Sequence, residues 1–456
     1  MSEFEFFSSE VSDKIVELGK KARQSTIIDS SWYTKYDVKR GLRDLDGKGV
    51  LAGLTEISEI QAFSKDEQGN KVPMDGELYY RGIGIQDLIG GFIKEDRFGF
   101  EEVTYLLLFG ELPNKSQLKS FKRILSGFRT LPTSFVRDII MKAPSADLMN
   151  VLARSVLILY SYDDHADDTG IANVLRQCLQ LIAQFPLISV YGHQVARHYH
   201  HGDSLIIHQP DKKLSIAENI LHLLREDSKF TKLEARVLDM CLILHAEHGG
   251  GNNSSFTMHV VSSTGTDTYS AVAASLGALK GPRHGGANIK AIRMMDDLKA
   301  NVKNYSDKYV EHYIAKLLDK KAFDKAGLVY GMGHAVYSLS DPRAVILKKY
   351  ARLLAEEKGM QEEFDLYDRV ERIASELISE RRKIYKGVSA NVDFYSGFVY
   401  RMLGLPEELF APIFAVSRIT GWSAHRIEEL SNNGKIIRPG YESVCARKSY
   451  VPIDER

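Results

Sequence analysis

Between Phe364 and Ile384 the apolar residues Leu366, Val370, Ile373, Ala374, Leu377 and Ile378 return every three or four positions, with charges between them. That spacing puts them on one side of an α-helix and leaves an apolar stripe to bury. Leu214 to Leu224 repeats the pattern with Ile216, Ile220, Leu221 and Leu224, and Ser215 stands where an N-cap belongs. Proline breaks helices, and there are only 12 in 456 residues. The chain is therefore predicted to be mainly α. One stretch departs from this. From Gly49 to Met74, Val50, Leu51, Leu54, Ile57, Ile60 and Ala62 lie among Thr, Ser and Gly. They predict a small antiparallel strand pair, with its turn near Gln68-Gly69-Asn70. No internal repeat, low-complexity tract or long linker interrupts the sequence.

The length allows a large core and two domains. Hydrophobic residues at 44% and charged residues at 26% fit a soluble globular protein. Lys plus Arg equals Asp plus Glu at 60 each, so no net field points to nucleic acid or an acidic membrane as partner. Cys178, Cys241 and Cys445 are far apart and odd in number, which fits a reducing compartment and gives no metal-ligand pair. The start, Met-Ser-Glu-Phe-Glu-Phe-Phe, lacks a basic region before an apolar one and carries acids early. The best apolar run, Val151 to Tyr160, is broken by Arg154 and falls short of the roughly 20 residues that span a bilayer. The expected location is cytoplasmic, with no membrane contact.

The chemistry-bearing residues cluster in the second half. His245 and His248, in His-Ala-Glu-His-Gly-Gly-Gly-Asn, share a helix face. Glu247 does not complete the His-Glu-x-x-His zinc spacing, and no third ligand is local. The residues alone also fit a helix closing at a glycine cap with His245 packed inside. His284 sits in Gly-Pro-Arg-His-Gly-Gly-Ala-Asn, a loop able to keep an imidazole neutral and donating, or else a plain turn. His334 lies in Tyr-Gly-Met-Gly-His-Ala-Val-Tyr, followed by Asp341-Pro342-Arg343. Arg343 can grip a carboxylate with two N–H groups, or stay at the surface paired with Asp341. Asp393, in Asn-Val-Asp-Phe-Tyr-Ser-Gly, has apolar neighbours that would raise its pKa and make it a base. Its bland alternative is a helix N-cap. Phe414-Ala-Val-Ser-Arg418 reads as a buried helix, where an arginine needs an anion. Arg197-His-Tyr-His-His201 reads as a solvated loop.

In this order, these segments resemble the citrate synthase family. The likeness extends to Gly53-Leu-Thr-Glu-Ile-Ser58, Leu78-Tyr-Tyr-Arg-Gly82 and Phe100-Glu-Glu-Val103, with Leu107, Phe109, Gly110, Leu112 and Pro113. It implies a two-domain helical fold with a small N-terminal β-strand pair. The large domain would take residues 1–284 and 401–456, and the small one residues 285–400. It implies an acyltransferase that condenses acetyl-CoA with oxaloacetate and hydrolyses the thioester to citrate and CoA. Asp393 would take a methyl proton from acetyl-CoA, His284 would steady its enol, and His334 would bind and protonate the oxaloacetate carbonyl. His248, Arg343, Arg418 and Arg438 would hold oxaloacetate, with Arg438 reaching the neighbouring subunit's site in a homodimer. No resident cofactor or metal is implied, since acetyl-CoA is a co-substrate.

Ser338 stands where many relatives carry Lys or Arg for CoA phosphate, and Arg283 where relatives often have a hydrophobic residue. Gly387-Val-Ser-Ala390 reads as an insertion before Asn391. The rival readings are 2-methylcitrate synthase using propionyl-CoA, a non-catalytic paralogue and a metal hydrolase. A pocket discriminates one methylene by only about 1–3 kcal/mol, so shared motifs do not separate the first rival. The paralogue would have lost Asp393 or a histidine, and none is lost.

Overall fold

A computed structural model describes residues 11–44, 49–334, 336–382, 387–432 and 434–456. The opening segment, Ala335, and the Lys383-Ile384 end of the predicted helix lie outside the described residues. The chain divides into two compact units, Leu54–Ile437, and Met1–Gly53 with Arg438–Arg456.

The larger unit is built of helices around the Phe410–Ser431 helix, which packs on Ile171–His201, Phe100–Phe109, Lys232–His245 and Asn253–Ser262. Its residues from Pro412 to Arg426 are all buried, polar ones included. A helix covered on every side is the centre of a core. Ile171–His201 is long and apolar enough to cross a membrane, unlike the shorter run the sequence singled out. Its most apolar window is 67% buried by protein, so that surface is spent on the core. The last turn of this helix carries His198, His200 and His201, which are exposed as expected but helical and not in a loop.

The two amphipathic predictions correspond to Ile216–Leu224 and Gln361–Arg382. The first begins with a full capping box, Ser215 Oγ accepting from Glu218 N while Glu218 answers on Ser215 N. The second buries Leu366, Val370, Ile373, Ala374 and Ile378, the residues of its sequence stripe. It packs on Asp307–Leu318, while Pro342–Lys358 and Ala287–Asn301 flank Val392–Met402.

The strand pair is a three-stranded antiparallel sheet, β1 (Ser58–Lys65), β2 (Lys71–Tyr80) and β3 (Ile83–Gly84). Asp66 Oδ1 accepts from the backbone of Gln68 and Asn70, which builds the predicted turn. The sheet begins later than the apolar residues suggest, because Leu51 and Leu54 are exposed and pair with nothing across a ladder. In register, Ser58 faces Tyr80, and these two polar side chains reach into the helical core.

In the smaller unit, the Asp13–Thr26 helix is capped by Ser12 and exposes Ile15, Val16 and Leu18. Residues 438–452 have no regular secondary structure, and Arg438 is exposed.

Candidate active site

The Lys232–His245 helix ends in a turn that splits its two histidines. His245 points inward. Its Nδ1 donates to the Cys241 carbonyl at 2.8 Å, and its ring packs edge-on against Phe414. Burial pushes its pKa down to about 3, so it is a neutral core histidine. Gly249 then takes φ +84°, a left-handed turn that favours glycine. Ser58 Oγ donates to Glu247 Oε1 at 3.0 Å and accepts from Gly249 N at 3.1 Å. Tyr80 Oη lies 3.0 Å from the carbonyls of Ile243 and Glu247. The sheet thus clamps the turn from below and presents His248. At Gly249 a Cβ would also come within 2.9 Å of Ile60 Cδ1, so close approach and turn both favour glycine there. Burial drives the His248 pKa well below the ordinary value, and Arg343, His334 and Arg418 add to it. Its Nε2 is buried without a hydrogen-bond partner among the described residues.

His284 occupies the loop before the Ala287–Asn301 helix, where Gly285 N bonds back to the Leu279 carbonyl at 2.9 Å. Burial and then Arg418 bring its pKa down to about 4, which keeps the ring neutral. Its Nε2 lies 3.0 Å from Ser254 Oγ, and that oxygen also accepts from Trp422 Nε1 at 3.1 Å. Ser254 Oγ also lies 3.1 Å from Asn252 Oδ1, to which its one proton is donated; when that proton turns to His284 instead, Nε2 accepts and Nδ1 carries the ring's proton.

The third segment is held by the fourth. Gly333 N donates to the Ser389 carbonyl at 2.7 Å, and Asn391 N to the Gly331 carbonyl at 2.8 Å. Asn391 Nδ2 adds a bond to the Gly333 carbonyl at 2.8 Å. The residues read as an insertion, Gly387–Ala390, therefore form the surface on which the histidine loop rests. His334 Nδ1 accepts from the backbone N–H groups of Val336 and Tyr337 at 3.1 and 3.2 Å. Two donors at Nδ1 fix the proton on Nε2. The ring stacks on Tyr337 and meets His248 edge-on, centroids 5.2 Å apart.

Asp341 caps the Pro342–Lys358 helix and also grips Arg343, Nε to Oδ1 at 3.0 Å and Nη2 to Oδ2 at 2.8 Å. The pairing with Asp341 that the sequence left open is thus formed, but inside the protein, with Arg343 only 4% exposed. Asn391, not Asp393, is the N-cap of Val392–Met402. Asp393 is the second residue of the helix, in its first turn, and its carboxylate accepts no hydrogen bond among the described residues. Burial outweighs Arg343 and raises its pKa to about 6. Arg418 is completely buried on the central helix. Its Nε donates to the His245 carbonyl at 2.7 Å, and its Nη1 has no partner among the described residues.

These groups act on one another. Arg343 and Arg418 both bias Asp393 and His248, and Arg418 biases His284. The structure therefore brings together His248, His284, His334, Arg343, Asp393 and Arg418. Arg438 belongs to the other compact unit. Arg283 is exposed, and Ser338 Oγ is buried without a partner among the described residues. Ser254 and Trp422 were missed by sequence reasoning, and Ser58 and Tyr80 lay in segments it singled out, but without this role. They are ordinary residue types in the first half or on distant helices, and nothing local marks them as supports. Chemically, the site offers a carboxylate poised to take a proton, neutral imidazoles with directed N–H groups, and two guanidinium groups for an anion.

The family model described as citrate synthase, C-terminal domain, matches residues 44–440. A citrate synthase of Synechocystis sp. is 35% identical over 90% of this chain and 92% of its own length. A 2-methylcitrate synthase of Shewanella oneidensis is also 35% identical, over 90% of this chain and 97% of its own. Among solved structures, the citrate synthase of Pyrobaculum aerophilum superposes with TM-score 0.74 at 31% identity, covering 91% of this chain and 95% of that one. The citrate synthase of Thermoplasma acidophilum, solved as a ternary complex with carboxymethyl coenzyme A and oxaloacetate, gives TM-score 0.73 at 27% identity, with 92% and 99% covered. The chain belongs to the citrate synthase family and is an acyltransferase of that type.

Proposed function

We propose that the enzyme condenses acetyl-CoA with oxaloacetate and hydrolyses the product thioester to citrate and CoA. The observation that carries this reading is a carboxylate raised to about 6 beside two buried polar groups without partners, Nε2 of His248 and Nη1 of Arg418. Leaving such groups unpaired is costly, and a bound dicarboxylate with a ketone supplies the missing acceptors. Asp393 takes a methyl proton from acetyl-CoA. Nδ1–H of His284 donates to the forming enol oxygen. The enol carbon bonds to the oxaloacetate ketone carbon as the C=O π bond breaks, and His334 Nε2–H protonates the ketone oxygen, which stays on that carbon as the product's hydroxyl. Water then cleaves the C–S bond and CoA departs.

His248, Arg343 and Arg418 hold oxaloacetate, and Arg438 of a neighbouring subunit completes the cage. Arginine charge does the work a metal would otherwise do, so the reaction has no resident cofactor. Residues 285–400 move as a small domain against 1–284 and 401–456, closing over oxaloacetate and excluding water. The resemblance of the motifs and the spread of the site over both sequence ranges support this.

The second reading, 2-methylcitrate synthase using propionyl-CoA, has the same support from identity, since the Synechocystis and Shewanella relatives are equally similar to this chain. CoA release by purified enzyme from oxaloacetate with each thioester separates them. A kcat/KM at least about tenfold higher for acetyl-CoA supports the first reading, on the scale of one methylene. The reverse preference replaces it with the second.

A further inference from the structure

Beside the substrate residues, and unused by the reaction, lies a second polar cluster. His425 and Glu428 stand one turn apart on the central helix, and His259 faces them from Asn253–Ser262. His425 Nδ1 is 3.1 Å from His259 Nε2 and 3.6 Å from Glu428 Oε2. One ligand atom from each residue lies within 4.8 Å of the others. Tetrahedral zinc, with bonds of about 2.0–2.2 Å, spaces neighbouring ligand atoms by about 3.3 Å. The two measured distances bracket that value, and the third lies within 4.8 Å.

We propose that His259, His425 and Glu428 form a binding site for a borderline divalent cation such as zinc, separate from the substrate residues. The far side of each ligand is already held. Glu247 Oε1 accepts from His425 Nε2 at 3.0 Å, Glu429 Oε2 from His259 Nδ1 at 2.7 Å, and Glu428 Oε1 from Glu56 N at 2.8 Å. Carboxylates on the outer nitrogens of two histidines fix their inner lone pairs toward one point, as at established zinc sites. Glu428 Oε2, which faces that point, is buried and has no hydrogen-bond partner among the described residues.

Charge favours a cation as well. Glu247, Glu428 and Glu429 surround two imidazoles whose facing nitrogens have room for one proton. Arg418 acts on Glu247, and Arg81 on Glu428, but neither reaches the centre of the cluster with a hydrogen bond. That one proton satisfies the ring pair and leaves Glu428 Oε2 with a 3.6 Å ion-pair contact to His425 Nδ1, too long for a hydrogen bond. A divalent ion in its place bonds both rings and Glu428. Nitrogen and carboxylate donors suit zinc, cobalt and nickel better than magnesium or calcium. Gly250 leaves room over the ring pair, since a Cβ there would sit 3.4 Å from His425 and 3.5 Å from His259.

Full-length protein stripped by chelator is titrated with zinc by calorimetry at pH 7.5. The expected result is one tightly bound zinc per chain. His259→Gln and Glu428→Gln should each weaken binding at least ~100-fold and remove the visible bands of the cobalt form. Glu429→Gln touches only the outer nitrogen of His259 and should cost about 10–100-fold, so the idea stays testable if the other variants misfold. His200→Ala, on the exposed histidine cluster, should bind as wild type does. Unchanged zinc binding in His259→Gln and Glu429→Gln overturns the proposal, as does wild-type protein that takes up no zinc at tens of micromolar. Either outcome leaves a hydrogen-bonded chain and nothing more, and neither bears on CoA release.

Discussion

At the scale of the residue, the chemistry turns on one carboxylate whose surroundings favour the neutral acid. A base with pKa near 6 must be ionised to work, so kcat/KM should fall below about pH 6 as Asp393 takes up a proton. His284, held near 4, stays neutral across that range and contributes no limb there. Asp393→Asn keeps the shape, removes the base and should lower turnover by at least ~10²-fold. A pH–rate profile on wild type and single-turnover assays on the variant check both, and near-normal turnover by the variant would remove Asp393 from the role. The sequence named this residue and its partners because each sits in a short, distinctive segment. It could not assign roles to Ser254, Ser58 or His425, whose meaning comes from contacts 30 to 189 residues away along the chain. Nor could it decide between the base and the N-cap at Asp393, since Asn391 two residues earlier does the capping.

At the scale of the element, glycines set the spacing of the site. Gly331 has φ +82°, and a Cβ there would lie 2.7 Å from the Cβ of Phe394, one residue past Asp393. Gly331→Ala must therefore push the histidine loop away from the Val392–Met402 helix. It should cost about 1–3 kcal/mol of stability and slow turnover at least tenfold, by strain and overpacking together. Gly359→Ala is the control, with φ +67° but open space around it, and should leave kinetics alone. Melting curves and kcat on both variants make the comparison. The Glu247–His425 pair, which ties the His248 turn to the central helix, gives stability its own pH dependence. Its histidine is raised to about 9, so that contribution is complete below about 6.5 and is lost as pH rises through 9. Its glutamate is lowered to about 2, so the contribution is present above about 4.5 and is lost as pH falls through 2. Both shifts arise from the same contact and are not added. Thermal melting of chelated protein should drop between pH 7 and 9.5, and His425→Gln should flatten that drop while lowering the plateau. A melting temperature indifferent to pH in this range would deny the pair its role. Amphipathic helices such as Gln361–Arg382 were legible because periodicity reports a half-buried surface. The central helix was less so, since an element buried all round has no periodic face to read.

At the scale of the whole molecule, legibility ends where no composition change marks a boundary. Residues around Gly285 and Tyr400 lie next to buried helices without any linker, so a small domain over 285–400 is a proposal that rests on family likeness alone. The same holds for Arg438, an exposed arginine in an irregular segment. We place it in a neighbouring subunit's site because the second carboxylate of oxaloacetate needs a cation and the family likeness puts the tail across a twofold interface. The exposed Ile15, Val16 and Leu18 of the Asp13–Thr26 helix supply apolar surface of the kind an interface covers. Twofold symmetry would give each site one Arg438 from its partner. Asp393→Asn and Arg438→Ala should each be inactive alone. In a mixed dimer, one site would join an intact Asp393 to an intact partner Arg438, and the other would carry both defects. With free reshuffling, half of the dimers are mixed and half of their sites work, so about a quarter of wild-type activity should return if the sites act independently. Native mass measurement confirms that mixed dimers have formed. Mixed dimers without activity would put Arg438 in its own subunit's site, or outside any site, and the shared cage would fall with it.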